Sequence, residues 1–418
     1  MKSSNYHVMK NLVKTNILSI LLLPVCILIT HISKAQKITH YEGNVSLDSL
    51  KSINAAFNIS YLNGDKNELD FYLNKNADIK QLRFGNKSVE YTIEGVVEDL
   101  KKVRIKNTFP KKFVLNIVYT YPLDKIESKI FTYNPNWIEL SLYTGWFPVN
   151  IDDKNYSYQL NFKVPENYDI IGNGVVRKKG LNTIITNTSN HFDIPVVLSG
   201  KFQRFSTRNN KIEFFSVQLP AEKIEEIQET SLEMYNFYES RFGKSATDNL
   251  IVTVNPFGHD MSYARRGFIS LSLLDNYGLV DRKVLAHEIA HLWWQNAKTG
   301  VWEDWLNESF AEFSTLKWME KTLSDEIFQK QLKKYEDAYK KPVKVSKTKT
   351  GDTDWHSVAY FKGPYMLYQL EKNIGEEKML QFLKKVYKDK ISTTEKLIEL
   401  LKHYADEKSV KILENEIY

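Results

Sequence analysis

Val284-Leu-Ala-His-Glu-Ile-Ala-His-Leu-Trp-Trp294 is the stretch from which the rest of this chain is read. His287 and His291 stand four residues apart, so a helix carries both on one face, about one turn from each other. Neutral imidazoles placed in this way reach a single ion, and zinc suits such nitrogen donors while also taking carboxylate oxygen. Glu288 follows the first histidine directly and falls beside the pair, where a base acts on metal-activated water. Taken alone, the pattern fits equally a satisfied helix with two surface histidines.

A second segment shifts the balance. Trp305-Leu-Asn-Glu-Ser-Phe-Ala-Glu-Phe313 reads as another helix, and sixteen residues separate Glu308 on it from His291. That connection lets the two helices lie antiparallel, with Glu308 turned toward the histidines as a third ligand. Three protein ligands leave one position open, as a catalytic zinc site requires, whereas a closed structural site uses four. Glu312 is one turn beyond Glu308. Its carboxylate either accepts the free ring N–H of His287 or His291, fixing the tautomer, or is an ordinary solvated helix residue.

Organisation along the chain divides in two. Up to about residue 215, short alternating runs recur, among them Glu68–Leu73, Phe113–Thr120, Tyr158–Val164, Thr183–Thr186 and Lys211–Ser216. Turn residues such as Asn63-Gly64 and Gly172-Asn-Gly174 separate them, which predicts an antiparallel β sandwich or saddle. Beyond Pro220 the period changes. Ile224, Ile227, Ser231, Met234, Tyr235, Tyr238 and Phe242 share one helical stripe that Gly243 ends. Strands follow at 249–254 and 267–273, and from Asp281 the pattern is helical almost to the end. Asp281, Asp304, Ser324, Ser357 and Thr393 or Thr394 are candidate N-caps, and Gly375 is a candidate stop. The expected architecture is multidomain: an N-terminal all-β saddle or sandwich domain over 36–218, then an α+β, mainly helical domain over 219–418.

Length and composition agree with this. A chain of 418 residues exceeds one ordinary core, and 42% hydrophobic with 13% aromatic residues indicates folded domains, not disorder. Residues 1–35 read as a signal peptide. Lys2, Lys10 and Lys14 form a basic start, Ile17 to Thr30 an apolar run that Pro24 interrupts, and Ser33-Lys34-Ala35 a small-residue cleavage site. Cleavage after Ala35 predicts an exported protein, periplasmic or extracellular, starting at Gln36, with no stable membrane span in the mature chain; the competing reading is a permanent membrane anchor, against which the apolar run is short of the ~20 residues of a span. The sole cysteine, Cys26, goes with that segment, which excludes disulfides and cysteine nucleophiles from the remainder. The formal charge of +6 includes four lysines of the leader, and what is left carries 53 basic against 51 acidic side chains. No nucleic-acid face is implied, and a peptide substrate is the expected partner.

His-Glu-Ile-Ala-His followed by Trp-Leu-Asn-Glu-Ser-Phe-Ala-Glu resembles the gluzincin aminopeptidases, the family of aminopeptidase N and the leukotriene-hydrolysing enzyme, whose second motif reads Trp-Leu-Asn-Glu-Gly-Phe-Ala-Glu. Val358-Ala-Tyr-Phe-Lys-Gly363 is similar to that family's Tyr-x-Lys-Gly segment. The resemblance implies one zinc ion per chain, held by His287, His291 and Glu308, with Glu288 as the base and Tyr360 as donor to the tetrahedral oxyanion. Trp146-Phe-Pro148 and Phe192-Asp-Ile-Pro-Val-Val-Leu-Ser-Gly200 are similar to elements of its saddle domain. What it implies is an aminopeptidase or oligopeptidase whose domain over 219–418 is a thermolysin-like zinc metallopeptidase domain.

Three departures stand out. Sixteen residues between His291 and Glu308 replace the family's eighteen. The family's Gly-Ala-Met-Glu-Asn, whose Glu binds the substrate's amino terminus, is matched here by Met261-Ser-Tyr-Ala-Arg-Arg-Gly-Phe-Ile269. Ala264 stands where that Glu would be, with Arg265, Arg266 and Gly267 after it, so a cation-repelling subsite is expected there. Glu139 is the remaining candidate anchor for the amine. The sequence also stops soon after the catalytic helices, without the family's large helical C-terminal domain, and so predicts a more open cleft. An endopeptidase, or a non-catalytic surface-binding protein on a peptidase scaffold, are the alternatives these departures raise.

Overall fold

In Ser52–Leu62 every second side chain is buried: Ile53, Ala55, Phe57, Ile59 and Tyr61 enter the core while Asn54 and Asn58 face water. That alternation makes a strand with one wet face. Similar runs assemble an eight-stranded sheet in the order Val175–Lys179, Asn182–His191, Tyr156–Lys163, Lys37–Ser46, Ser52–Leu62, Lys112–Pro122, Asp78–Phe84 and Lys87–Ser88. Neighbours are antiparallel except Lys37–Ser46 and Tyr156–Lys163, which run parallel. Two three-stranded sheets complete this half, one of them Asp169–Gly172, Val196–Ser199 and Ile138–Leu140. The fold is that of a computed structural model describing residues 36–418 apart from 48–49, 65, 98, 127–130, 132, 151–154, 248 and 259–260. The predicted leader, with Cys26, lies outside the described residues.

The β core is aromatic. Tyr41, Phe57, Phe147 and Trp146 meet edge-on or tilted, with centroids 5.5–6.2 Å apart. Their polar atoms are satisfied by backbone carbonyls distant in sequence: Trp146 Nε1–H donates to the Ile194 carbonyl at 3.1 Å and Tyr41 O–H to that of Pro148 at 2.7 Å. Buried indole and phenol groups need such partners.

The second half opens with helix α1, Ala221–Phe242, whose predicted stripe is buried and whose end is Gly243 at φ 94°. A five-stranded sheet follows, ordered Gln203–Ser206, Ile212–Ser216, Leu250–Asn255, Phe268–Ser272 and Tyr263–Arg265. Its three inner strands are parallel and its edge strands antiparallel. Ile212–Ser216, read from the sequence as part of the β half, therefore pairs into this sheet, and the sequence pattern did not mark the edge strand at 263–265. Helices α2 (Leu279–Ala290), α3 (Trp305–Thr322), α4 (Asp325–Tyr339), α5 (a single turn, Trp355–Ser357), α6 (Gly363–Ile374), α7 (Glu376–Lys388), α8 (Thr394–Leu401) and α9 (Glu407–Ile417) pack beside it. Ser324 and Thr393 cap as expected. Asp281 does not: it sits inside the first turn of α2, and its carboxylate accepts from the amides of Leu274, Asp275 and Tyr277, fixing the preceding loop. Ser357 likewise lies inside a helical stretch instead of starting one.

A small apolar cluster of Trp137, Val197, Val217, Tyr263 and Phe268 joins the two halves. Beside it, Arg265 Nε donates to Asp193 Oδ2 at 2.7 Å, with side-chain exposures of 6% and 0%. A buried pair of this kind is costly to break from one side. Asp193→Asn is expected to lower unfolding free energy by about 3–5 kcal/mol in urea titration. Asp193→Leu combined with Arg265→Met should recover most of that loss; equal destabilisation by the pair and the single variant would contradict this account of the interface.

Candidate metal centre

Helices α2 and α3 pack against each other, and Leu285, Ala286, Ile289, Phe310, Ala311 and Phe313 on them are all buried in one core. The sixteen-residue connection is tied down at both ends. Asn307 brackets Ala297, accepting from its amide at 3.0 Å and donating to its carbonyl at 3.1 Å, and Asp304 accepts from the Gly300 amide at 3.0 Å. The shorter connection thus holds α3 in place against α2.

His287, His291 and Glu308 converge, with one donor atom from each lying within 4.8 Å of the others. The ring tautomers follow from their outer partners. His287 Nδ1–H donates to Glu312 Oε2 at 2.9 Å, and His291 Nδ1–H donates to the Trp294 carbonyl at 2.8 Å. Both Nε2 atoms then carry lone pairs, and they face each other at 3.1 Å. Glu308 Oε2 is 3.3 Å from one and 3.5 Å from the other. Two lone pairs and a carboxylate at such distances repel unless a cation lies among them. Tetrahedral zinc, with bonds of about 2.0–2.1 Å, has ligand–ligand edges of about 3.3 Å. The donor set therefore fits zinc in both chemistry and size.

Burial opposes protonation of His287, but Glu308 and Glu312 outweigh it and raise the imidazole to about 10, so the Nε2 lone pair is free for a metal ion only once that ion displaces a proton. Burial pushes the Glu312 carboxyl up, yet Lys283 and His287 together hold it down to about 2. Glu312 is thus an ionised group kept in place from three sides: His287, the Tyr335 phenol and Lys283 Nζ, the last at 2.7 Å. The sequence left open which histidine Glu312 would serve, and the structure gives it to His287. Glu288 is buried beside the metal donors, and burial raises its carboxyl despite both imidazoles. A carboxyl moved toward neutral pH is suited to exchanging protons.

Tyr360 stands on a π-helical turn, Val358–Lys362, a local irregularity common at functional positions. Its ring lies over His287 with centroids 5.4 Å apart and planes 27° from parallel. Burial, with Glu308 and Glu288 nearby, raises the phenol well above its ordinary range, so it stays protonated and able to donate. Gly363 ends the turn because no side chain fits there: a Cβ would come within 2.0 Å of Ser309 Oγ on α3.

The substrate-side positions are distributed differently from expectation. Glu139 is buried on the strand Ile138–Leu140, accepts from Trp137 Nε1 at 3.1 Å and lies beside the Tyr263 phenol. It therefore reaches the edge strand that carries Ala264. Ala264 is half-buried and offers only its methyl and backbone. Arg265 departs from the expected free cation. Its guanidinium is turned into the joint between the halves, bonded to Asp193 and ringed by Tyr143, Phe192 and Tyr263 at 4.6–5.3 Å. The predicted repulsion at this subsite is cancelled to that extent. Gly267 serves the turn after this strand, at φ 79°, with its carbonyl accepting from the Ile251 amide. Trp293 and Trp294 are core residues, not pocket walls. Lys283 and Tyr335 were missed. Lys283, one helical turn before His287, was open to inference from spacing, whereas nothing local marks Tyr335.

Comparison with known proteins agrees with this geometry. Residues 276–416 match the family model of the peptidase family M1 domain. The whole fold is similar to the M1 zinc metallopeptidase from Deinococcus radiodurans, solved as a mutant bound to a Tyr-Ser-Ala substrate: TM-score 0.70, 16% identity, covering 92% of this chain and 94% of that one. It is also similar to native leukotriene A4 hydrolase from Saccharomyces cerevisiae, with TM-score 0.68, 15% identity, and coverage of 92% and 67%. Glu312→Gln is expected to weaken zinc retention by about 10- to 100-fold in competition with a chelator. Unchanged retention would show that the Glu312–His287 bond does not support the site.

Proposed function

We propose that this chain, whose residues 276–416 match the peptidase family M1 domain, is an exported zinc-dependent aminopeptidase acting on short peptides. The observation that carries the reading is the convergence of His287, His291 and Glu308, with the Glu288 carboxyl and the Tyr360 ring close to the same imidazoles. Zinc held by these three residues supplies Lewis acidity, acidifying water and polarising the scissile carbonyl. Glu288 accepts the proton of the attacking water and returns it to the leaving amine. Tyr360 O–H donates to the carbonyl oxygen as negative charge builds there. Glu312 keeps the His287 ring in the tautomer that presents Nε2.

The free amine of the substrate is assigned to Glu139, a buried carboxylate beside the edge strand that carries Ala264. Ala264 supports a second reading, an endopeptidase, because it withholds the carboxylate that the family uses for that amine. Export is supported by the basic start, apolar run and small-residue site of residues 1–35.

Wild type and Glu288→Gln, both loaded with zinc, should be assayed on one peptide with a free and an acetylated amino terminus. The aminopeptidase reading expects cleavage of the free peptide only, and a Glu288→Gln protein that keeps its metal but turns over at least about 10²-fold more slowly. Equal cleavage of the blocked peptide favours the endopeptidase, and full activity of Glu288→Gln rejects the mechanism. N-terminal sequencing of protein recovered outside the cytoplasm should begin at Gln36; an intact leader there would refute cleavage after Ala35.

A further inference from the structure

Two imidazoles stack on the Tyr360 ring. His287 lies with centroids at 5.4 Å and planes 27° from parallel. His356, four residues earlier on α5, lies at 5.0 Å and 21° from parallel. Residues four apart on a helical stretch are neighbours on one face, which is how His356 arrives there. Its ring is steadied in turn by Phe361, at 5.5 Å and edge-on. His356 is otherwise exposed, whereas the residue before it, Trp355, is buried and anchors the turn. No apolar core demands an aromatic ring at position 356, so its stack on Tyr360 is the contact that gives the position a purpose.

We propose that His356 is a positioning residue that clamps the Tyr360 phenol against His287, so that its O–H points at the substrate carbonyl. This rests on the role given to Tyr360 under Proposed function. The physical requirement is strict: a donor to a developing oxyanion works only when held within about 0.5 Å of its productive place. A phenol ring turns about two torsions. With both imidazoles stacked on it, turning about either torsion costs a ring contact. Imidazole acts here by its flat face, so another flat ring can substitute for it.

The test compares zinc-loaded wild type, His356→Ala, His356→Phe, Tyr360→Phe and the His356→Ala/Tyr360→Phe double variant. Metal content, kcat and KM are measured on the free-amine peptide of the paired assay, and the Tyr360 ring is located by crystallography in His356→Ala. The clamp predicts full zinc content, a roughly 3- to 10-fold fall in kcat for His356→Ala with little change in KM, and recovery in His356→Phe. The ring should leave its place over His287. Adding His356→Ala to Tyr360→Phe should cost nothing further, because the hydroxyl it serves is already gone. Independent, multiplying losses, lost zinc, or a ring that stays in place would each overturn the proposal. If Tyr360→Phe itself keeps full kcat, the role of Tyr360 is rejected instead, and the crystallographic ring position still decides whether His356 is a clamp.

Discussion

Two imidazole nitrogens held face to face by their outer hydrogen bonds are the constraint on which the catalytic half depends. Glu312 and the Trp294 carbonyl claim the Nδ1 protons, which turns both Nε2 atoms toward the carboxylate of Glu308. The result is a small, buried group of donors that demands positive charge among them, and a divalent cation supplies it. Metal affinity is therefore stored in the packing of α2 against α3, and in the residues that hold Glu312 as an anion deep in the fold.

The same logic extends outward. Gly363 lets the α6 backbone approach Ser309 on the helix that carries Glu308, so the Tyr360 turn and the metal donors share one rigid support. Lys362, almost wholly buried, ties that turn to the Lys341 carbonyl at 2.9 Å and to Glu416 of α9 at 2.7 Å. On the opposite side the β half is fastened by Asp193 and Arg265, and that joint brings Glu139 to the edge strand at 263–265. A buried ion pair is a poor source of stability but a good source of register, since it tolerates few alternative alignments.

What could be read in the sequence were features with a local period. The His287/His291 spacing, the buried stripe of α1 and the alternation of Ser52–Leu62 each depend on residues within two or three turns of one another. Pairings over long separations could not be read. Arg265 looked like a free cation because its partner, Asp193, is 72 positions away. Tyr335 reaches Glu312 from another helix, and the parallel pairing of Ile212–Ser216 depends on strands that follow it. The π-helical turn under Tyr360 leaves no periodic mark, although the Lys-Gly pair that ends it does.

The central claim is that one zinc ion sits among His287, His291 and Glu308. Diffraction from zinc-loaded crystals, recorded on both sides of the zinc absorption edge, tests it directly. The account predicts a single anomalous peak per chain, about 2.0–2.2 Å from both Nε2 atoms and from a Glu308 oxygen. A peak elsewhere, or a Glu308 side chain turned away from both imidazoles, would contradict it.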